Sequence, residues 1–210
     1  MGLTLHYSGK LTNPDRVSAL TDELADICRS NGWEYQLLDK VLPGVPADYL
    51  RLLDEGATEY RARGISFQVH EQAESTVLCF GPAGRTLSPM ALFRPDLTDW
   101  NDDTLAHCTF TKTQLAGPEA HIVLCNLLRY VFGKYFAVVE VNDEGKYYHT
   151  EDRLALARQF GAYDEVYAQV SSALAGAGLE KATSIPELMA MLREALPDAE
   201  IRLVSGDEEE

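Results

Sequence analysis

The segment from Glu119 to Phe136 constrains this chain most. At about 100° per residue, Glu119, Asn126, Arg129, Tyr130, Gly133 and Lys134 fill a polar stripe about 140° wide, and the remaining surface is apolar apart from His121. A helix of that kind is either central, covered by a sheet and other helices, or half of a subunit interface. Gly117 and Pro118 open it, with proline where the first helical N–H needs no partner and Glu119 in the turn where the dipole favours an acid.

A helix so apolar needs a sheet to pack on, and period-2 segments supply one. Leu3, Leu5 and Tyr7 alternate with Thr4, His6 and Ser8, which predicts a first strand with opposite faces. Asn13 then caps a helix whose first position is Pro14, and Val17, Leu20, Leu24 and Ile27 recur at helical spacing until Gly32. Trp33, Tyr35 and Leu37 alternate again, so the first 40 or so residues read as a βαβ unit. Ile65–Val69 and Thr76–Phe80 read as an antiparallel hairpin, the second strand buried on both faces. Tyr49–Leu53 predicts a short helix, and Ser88–Asp103, with Pro89, Pro95 and Asn101, a long surface loop. Leu105–Thr113 is read as one alternating strand. Ala137–Val141, the turn at Asn142–Gly145 and Lys146–His149 form a second hairpin, with Gly145 at a left-handed position. Helices follow: one capped by Thr150, one from Asp164, and one opened by the capping box of Ser184 and Glu187.

These elements predict an α+β fold: a mixed β-sheet begun by a βαβ unit, helices packed on one face, and a C-terminal helical segment. The expected organisation is a core over residues 1–150, a helical appendage over 151–200 packed on that core, and an acidic tail over 201–210.

Charge and cysteine usage narrow the function classes. Eighteen Lys and Arg against 33 Asp and Glu give a formal charge of −15, which opposes binding to nucleic-acid backbones or anionic lipid. No segment approaches the roughly 18 apolar residues of a membrane span. Cys28, Cys79, Cys108 and Cys125 are irregularly spaced within apolar stretches and read as reduced core thiols, so a cytoplasmic location is expected. Dinucleotide, Walker, GxSxG, HExxH and paired CxxC signatures are all missing from the sequence, and no cofactor is expected.

Two constellations remain. His6, His70 and His107 lie in the polar phase of their strands, with Thr109, Thr111 and Thr113 following His107 in phase. If those strands were neighbours, one open sheet face would carry three imidazoles and a row of hydroxyls, able to take a metal, an anion or a small polar ligand. Alternatively, His121 and Cys125, at i and i+4 on the inward face of the apolar helix, with Cys108 in the neighbouring strand, have donor types that hold zinc. No fourth ligand is evident, and isolated cysteines on apolar faces usually serve packing. The oxygen-rich run from Asp96 to Asp103 does not have EF-hand spacing and reads as a capped loop.

The expected function is therefore a soluble binding or protein-interaction protein, acting through the open sheet face, the acidic surface or a homodimer built on the apolar helix. Its small-molecule ligand is not defined by the sequence. Two other classes compete: a metal- or histidine-dependent hydrolase using the sheet-face histidines, and an acidic nucleic-acid mimic that binds a basic protein.

Overall fold

The computed structural model describes residues 3–47, 49–50, 59–162 and 190–191. The chain divides into two compact units, Met1–Phe160 and Gly161–Glu210. Of the second, only residues 161–162 and 190–191 are described, all helical. The helix expected from Asp164, the Ser184–Glu187 start of the next one and the acidic tail lie outside the described residues.

In the first unit the order is β1 (Thr4–Leu11), α1 (Val17–Asn31), β2 (Tyr35–Leu42), β3 (Tyr60–Phe67), β4 (Thr76–Phe80), α2 (Pro89–Phe93), α3 (Asp103–His107), β5 (Thr109–Lys112), α4 (Gly117–Tyr135), β6 (Phe136–Asp143) and α5 (Tyr147–Thr150). The fold is α+β, as the patterns predict. A 3-10 turn at Pro14–Arg16 leads into α1, with Asn13 Oδ1 accepting from the Asp15 N–H at 2.9 Å. Gly32 ends α1 at φ +69°, a left-handed conformation that glycine adopts without a Cβ clash.

The sheet arrangement corrects the expected βαβ unit. Two three-stranded sheets form, ordered β5-β1-β6 and β2-β3-β4, and every pairing in them is antiparallel. β1 has both edges taken by strands from later in the chain, while β2 pairs along its whole length with β3, so α1 connects two sheets rather than two strands of one. Period-2 alternation is the same for parallel and antiparallel neighbours and could not separate these outcomes. The β3–β4 hairpin forms as expected, and all five residues of β4 are buried.

Three local expectations change. Residues Ser88–Asp103 are not a surface loop: Ser88 Oγ accepts from the Ala91 N–H to cap α2, and Ala91, Leu92 and Trp100 enter a core with Tyr60, Ala62 and Cys79. Leu105–Thr113 is not one strand. Asp102 Oδ1 accepts from the N–H groups of Thr104 and Leu105, winding residues up to His107 into α3 before β5 begins. β6 does not fold back on Lys146–His149; it pairs with β1, and one turn of helix follows it. Lys146 takes the left-handed position in that turn at φ +60°.

α4 is central rather than half of an open interface. Ala120, Ile122, Leu124, Leu128, Val131 and Phe132 are buried, and the Phe132 ring lies 5.8 Å from that of Tyr7 on the inner face of the β5-β1-β6 sheet. The opposite sheet face carries His6, Ser8 and Lys10 on β1, Phe110 and Lys112 on β5, and Val138, Glu140 and Asn142 on β6. Val138 keeps 62% and Phe110 39% of its surface exposed there. Among the described residues, no helix is long and apolar enough to cross a membrane.

Candidate functional site

One end of this outer face deepens into a cleft of about 390 Å³. Ser8, Gly9 and Lys10 of β1 and Val138 and Glu140 of β6 form its floor, with Asp103, Thr104 and His107 of α3, Cys108 and Arg85 around the rim. Arg85 reaches it because its backbone bridges to Lys10, and its Nη1 lies 3.1 Å from Asp103 Oδ1. That guanidinium holds the Asp103 carboxyl below its ordinary range. The cleft thus contains two cations, Lys10 and Arg85, and two carboxylates, Asp103 and Glu140.

Its neutral groups are not poised for chemistry. His107 Nδ1 lies 2.7 Å from the Thr86 carbonyl oxygen; a carbonyl only accepts, so Nδ1 carries the proton and Nε2 accepts from Tyr49 Oη at 2.9 Å. Burial pushes the His107 pKa down, so the ring is neutral at pH 7 with both nitrogens engaged. Burial, and next the charge of Glu140, push the Cys108 thiol up, away from a reactive thiolate.

The three strand histidines do not converge. His6 stands on the outer face with its ring 5.9 Å from Phe110, His70 lies in the exposed loop after β3 with Nδ1 accepting from the Gln72 N–H, and His107 belongs to α3. Thr109 and Thr111 face the core instead of solvent, because their register pairs them with Tyr7 and Leu5. Thr111 Oγ1 donates to Thr76 Oγ1 at 3.2 Å, and the threonine methyl groups allow this polar phase to pack inside. Lys10, Arg85, Asp103 and Glu140 carried no motif. The only sequence signal was that Lys10 continues the phase of His6 and Ser8.

A second cluster lies on the inner side of the sheet. His121 and Cys125 on α4 meet Asp143 at the end of β6, with all three side chains buried and one donor atom of each within 4.8 Å of the others. Cys108 is not among them; it opens to the cleft. Asp143 Oδ1 accepts from the Gly145 N–H and Oδ2 from the Tyr148 N–H, both at 2.7 Å. Burial raises the Asp143 pKa, but His121 and these two N–H groups outweigh it and hold the carboxyl below its ordinary value. Burial, with the Asp143 charge, pushes the Cys125 thiol far up. Sequence reasoning missed Asp143; the signal that could have found it is an aspartate two residues before a glycine, which marks a side-chain-to-backbone turn. The oxygen-rich run is used locally: Asp99 and Asp102 accept from neighbouring N–H groups, and Asp103 pairs with Arg85.

Compared with protein-family models, curated proteins and solved structures, the chain matches none of them.

Proposed function

We propose that this protein binds a small zwitterionic molecule, with the charge pattern of an amino acid, in the cleft between α3 and the outer sheet face, and holds it without covalent change. The observation that carries this reading is the pairing of Lys10 and Arg85 with Asp103 and Glu140 around one opening. A chain of net charge −15 repels a free anion at long range. A ligand carrying both charges avoids that repulsion and can satisfy both sets of groups at contact. The volume lies within the usual range for small-molecule sites. Neutral, doubly engaged His107 and a protonated Cys108 favour binding over catalysis in this cleft.

Calorimetric titration with an amino-acid series, each member compared with its N-acetyl and amide derivatives, tests the reading. Derivatives that lose one charge should bind about tenfold more weakly, as should Lys10→Ala and Glu140→Gln with the parent ligand, each removing one charge-assisted hydrogen bond of about 1.5 kcal/mol. Equal affinity across the three forms, or binding indifferent to both substitutions, contradicts the reading.

A further inference from the structure

We propose that His121, Cys125 and Asp143 form a resident site for a divalent cation of the zinc class, independent of the cleft. His121 Nε2 lies 3.1 Å from Asp143 Oδ1, and Cys125 Sγ lies 3.9 Å from Asp143 Oδ2. Tetrahedral zinc held by nitrogen, sulfur and oxygen at ordinary bond lengths spaces its ligands about 3.3–3.6 Å apart, between those two distances.

The stronger observation is that the buried Nε2 of His121 makes no hydrogen bond, although a carboxylate oxygen stands beside it. His121 Nδ1 is engaged by Thr113 Oγ1 at 2.7 Å, which leaves Nε2 as the ring nitrogen open to a ligand. The Nε2 edge of the ring and the Asp143 carboxylate lie side by side without a hydrogen bond between them, the arrangement of two ligands that share a cation. A proton on Nε2 would need to lie on the line to Oδ1, and the geometry is off that line. A metal ion needs no such alignment, because each donor points at the ion and not at the other.

The surroundings are those of a metal site. A ligating imidazole generally hydrogen-bonds an outer partner through its second nitrogen, here Thr113, and a ligating carboxylate is itself hydrogen-bonded, here by Gly145 and Tyr148. A Cβ on Gly145 would lie 2.8 Å from Nε2 and 3.0 Å from Oδ1, so glycine keeps this space open. Thiolate, imidazole and carboxylate together select zinc over magnesium or calcium. On binding, the Cys125 S–H bond breaks, the sulfur keeps the electron pair for the metal and the proton leaves to solvent, so two negative ligands neutralise the ion. All three side chains are buried, and an ion held by them would tie α4 to the turn after β6.

The test is metal analysis of the full chain purified without chelator, followed by cobalt titration of the chelator-treated protein. About one zinc per chain is expected, with a thiolate-to-cobalt charge-transfer band that Cys125→Ser abolishes and Cys108→Ser retains. Should Cys125→Ser fail to fold, the band in the parent protein still reports thiolate ligation. The proposal is overturned if the folded parent retains no metal and cobalt gives no such band, or if the band survives in Cys125→Ser.

Discussion

His107 donates its Nδ1–H to the Thr86 carbonyl oxygen at 2.7 Å, which fixes the tautomer and leaves Nε2 to accept from Tyr49. Protonating Nε2 would place a charge in a buried site, so folding favours the neutral ring. The folded pKa is depressed, mainly by burial, below the unfolded value of about 6.5. Between those two values the unfolded chain binds the extra proton, so this contribution is complete above pH 6.5 and is lost as pH falls toward the folded pKa. Urea unfolding from pH 8 to pH 5 should show falling stability, and His107→Gln should flatten that decline. An unchanged slope in the variant would assign it to another group.

Glu23 joins α1 to α4. Its Oε1 accepts from Tyr130 Oη and Lys134 Nζ, both at 2.6 Å, and its Oε2 accepts from Tyr135 Oη at 2.5 Å. Those hydrogen bonds, that from Lys134 foremost, lower its pKa to about 2. Its contribution is present above the unfolded value near 4.3 and is lost as pH falls through about 2. The cluster is partly solvated, so Glu23→Gln should cost only about 0.5–1 kcal/mol at pH 7 and clearly less at pH 2, read by denaturant titration at both.

Thr113 Oγ1 hydrogen-bonds the buried Nδ1 of His121 at 2.7 Å. Thr113→Val keeps the shape and removes that hydrogen-bond partner, so it should destabilise by about 1–3 kcal/mol. Thr113→Ser retains the hydroxyl and should recover most of the loss. Equal stability of the two variants would mean the hydrogen bond contributes little.

Gly9 lies in the middle strand of its sheet and on the cleft floor. A Cβ there would stand 2.5 Å from the Val138 carbonyl oxygen and 2.8 Å from the Phe136 ring. Gly9→Ala should therefore push β6 from β1, cost about 1–3 kcal/mol, and weaken cleft binding by displacing Val138 and Glu140. A variant with parental stability and affinity would show that the strands approach less closely.

Much of the fold was legible where local chemistry decided it. The Asn13 cap, the left-handed stop at Gly32, the β3–β4 hairpin and the polar stripe of α4 each follow from a few neighbouring residues. Pairing between distant segments was not legible, because alternation at β1 and β2 does not say that β1 will take β5 and β6. The same ambiguity inverted the threonines: Thr109 and Thr111 share a phase, but only register against Tyr7 and Leu5 shows that it faces inward. Of the candidate site residues, His121 and Cys125 lay together as their helical spacing required. Asp143 joins them through a β1–β6 pairing across most of the unit. The cleft was least visible, since its four charged residues come from β1, β6, α3 and the segment before α2.

The most direct test of the central claim is amide chemical-shift mapping on the nitrogen-15-labelled chain while a zwitterionic amino acid is added. The account predicts saturable shifts at Ser8, Gly9, Lys10, Thr104, Cys108 and Glu140, with β2 and the amides around Gly145 unmoved. Shifts centred elsewhere, or none at millimolar ligand across the amino-acid series, would contradict it.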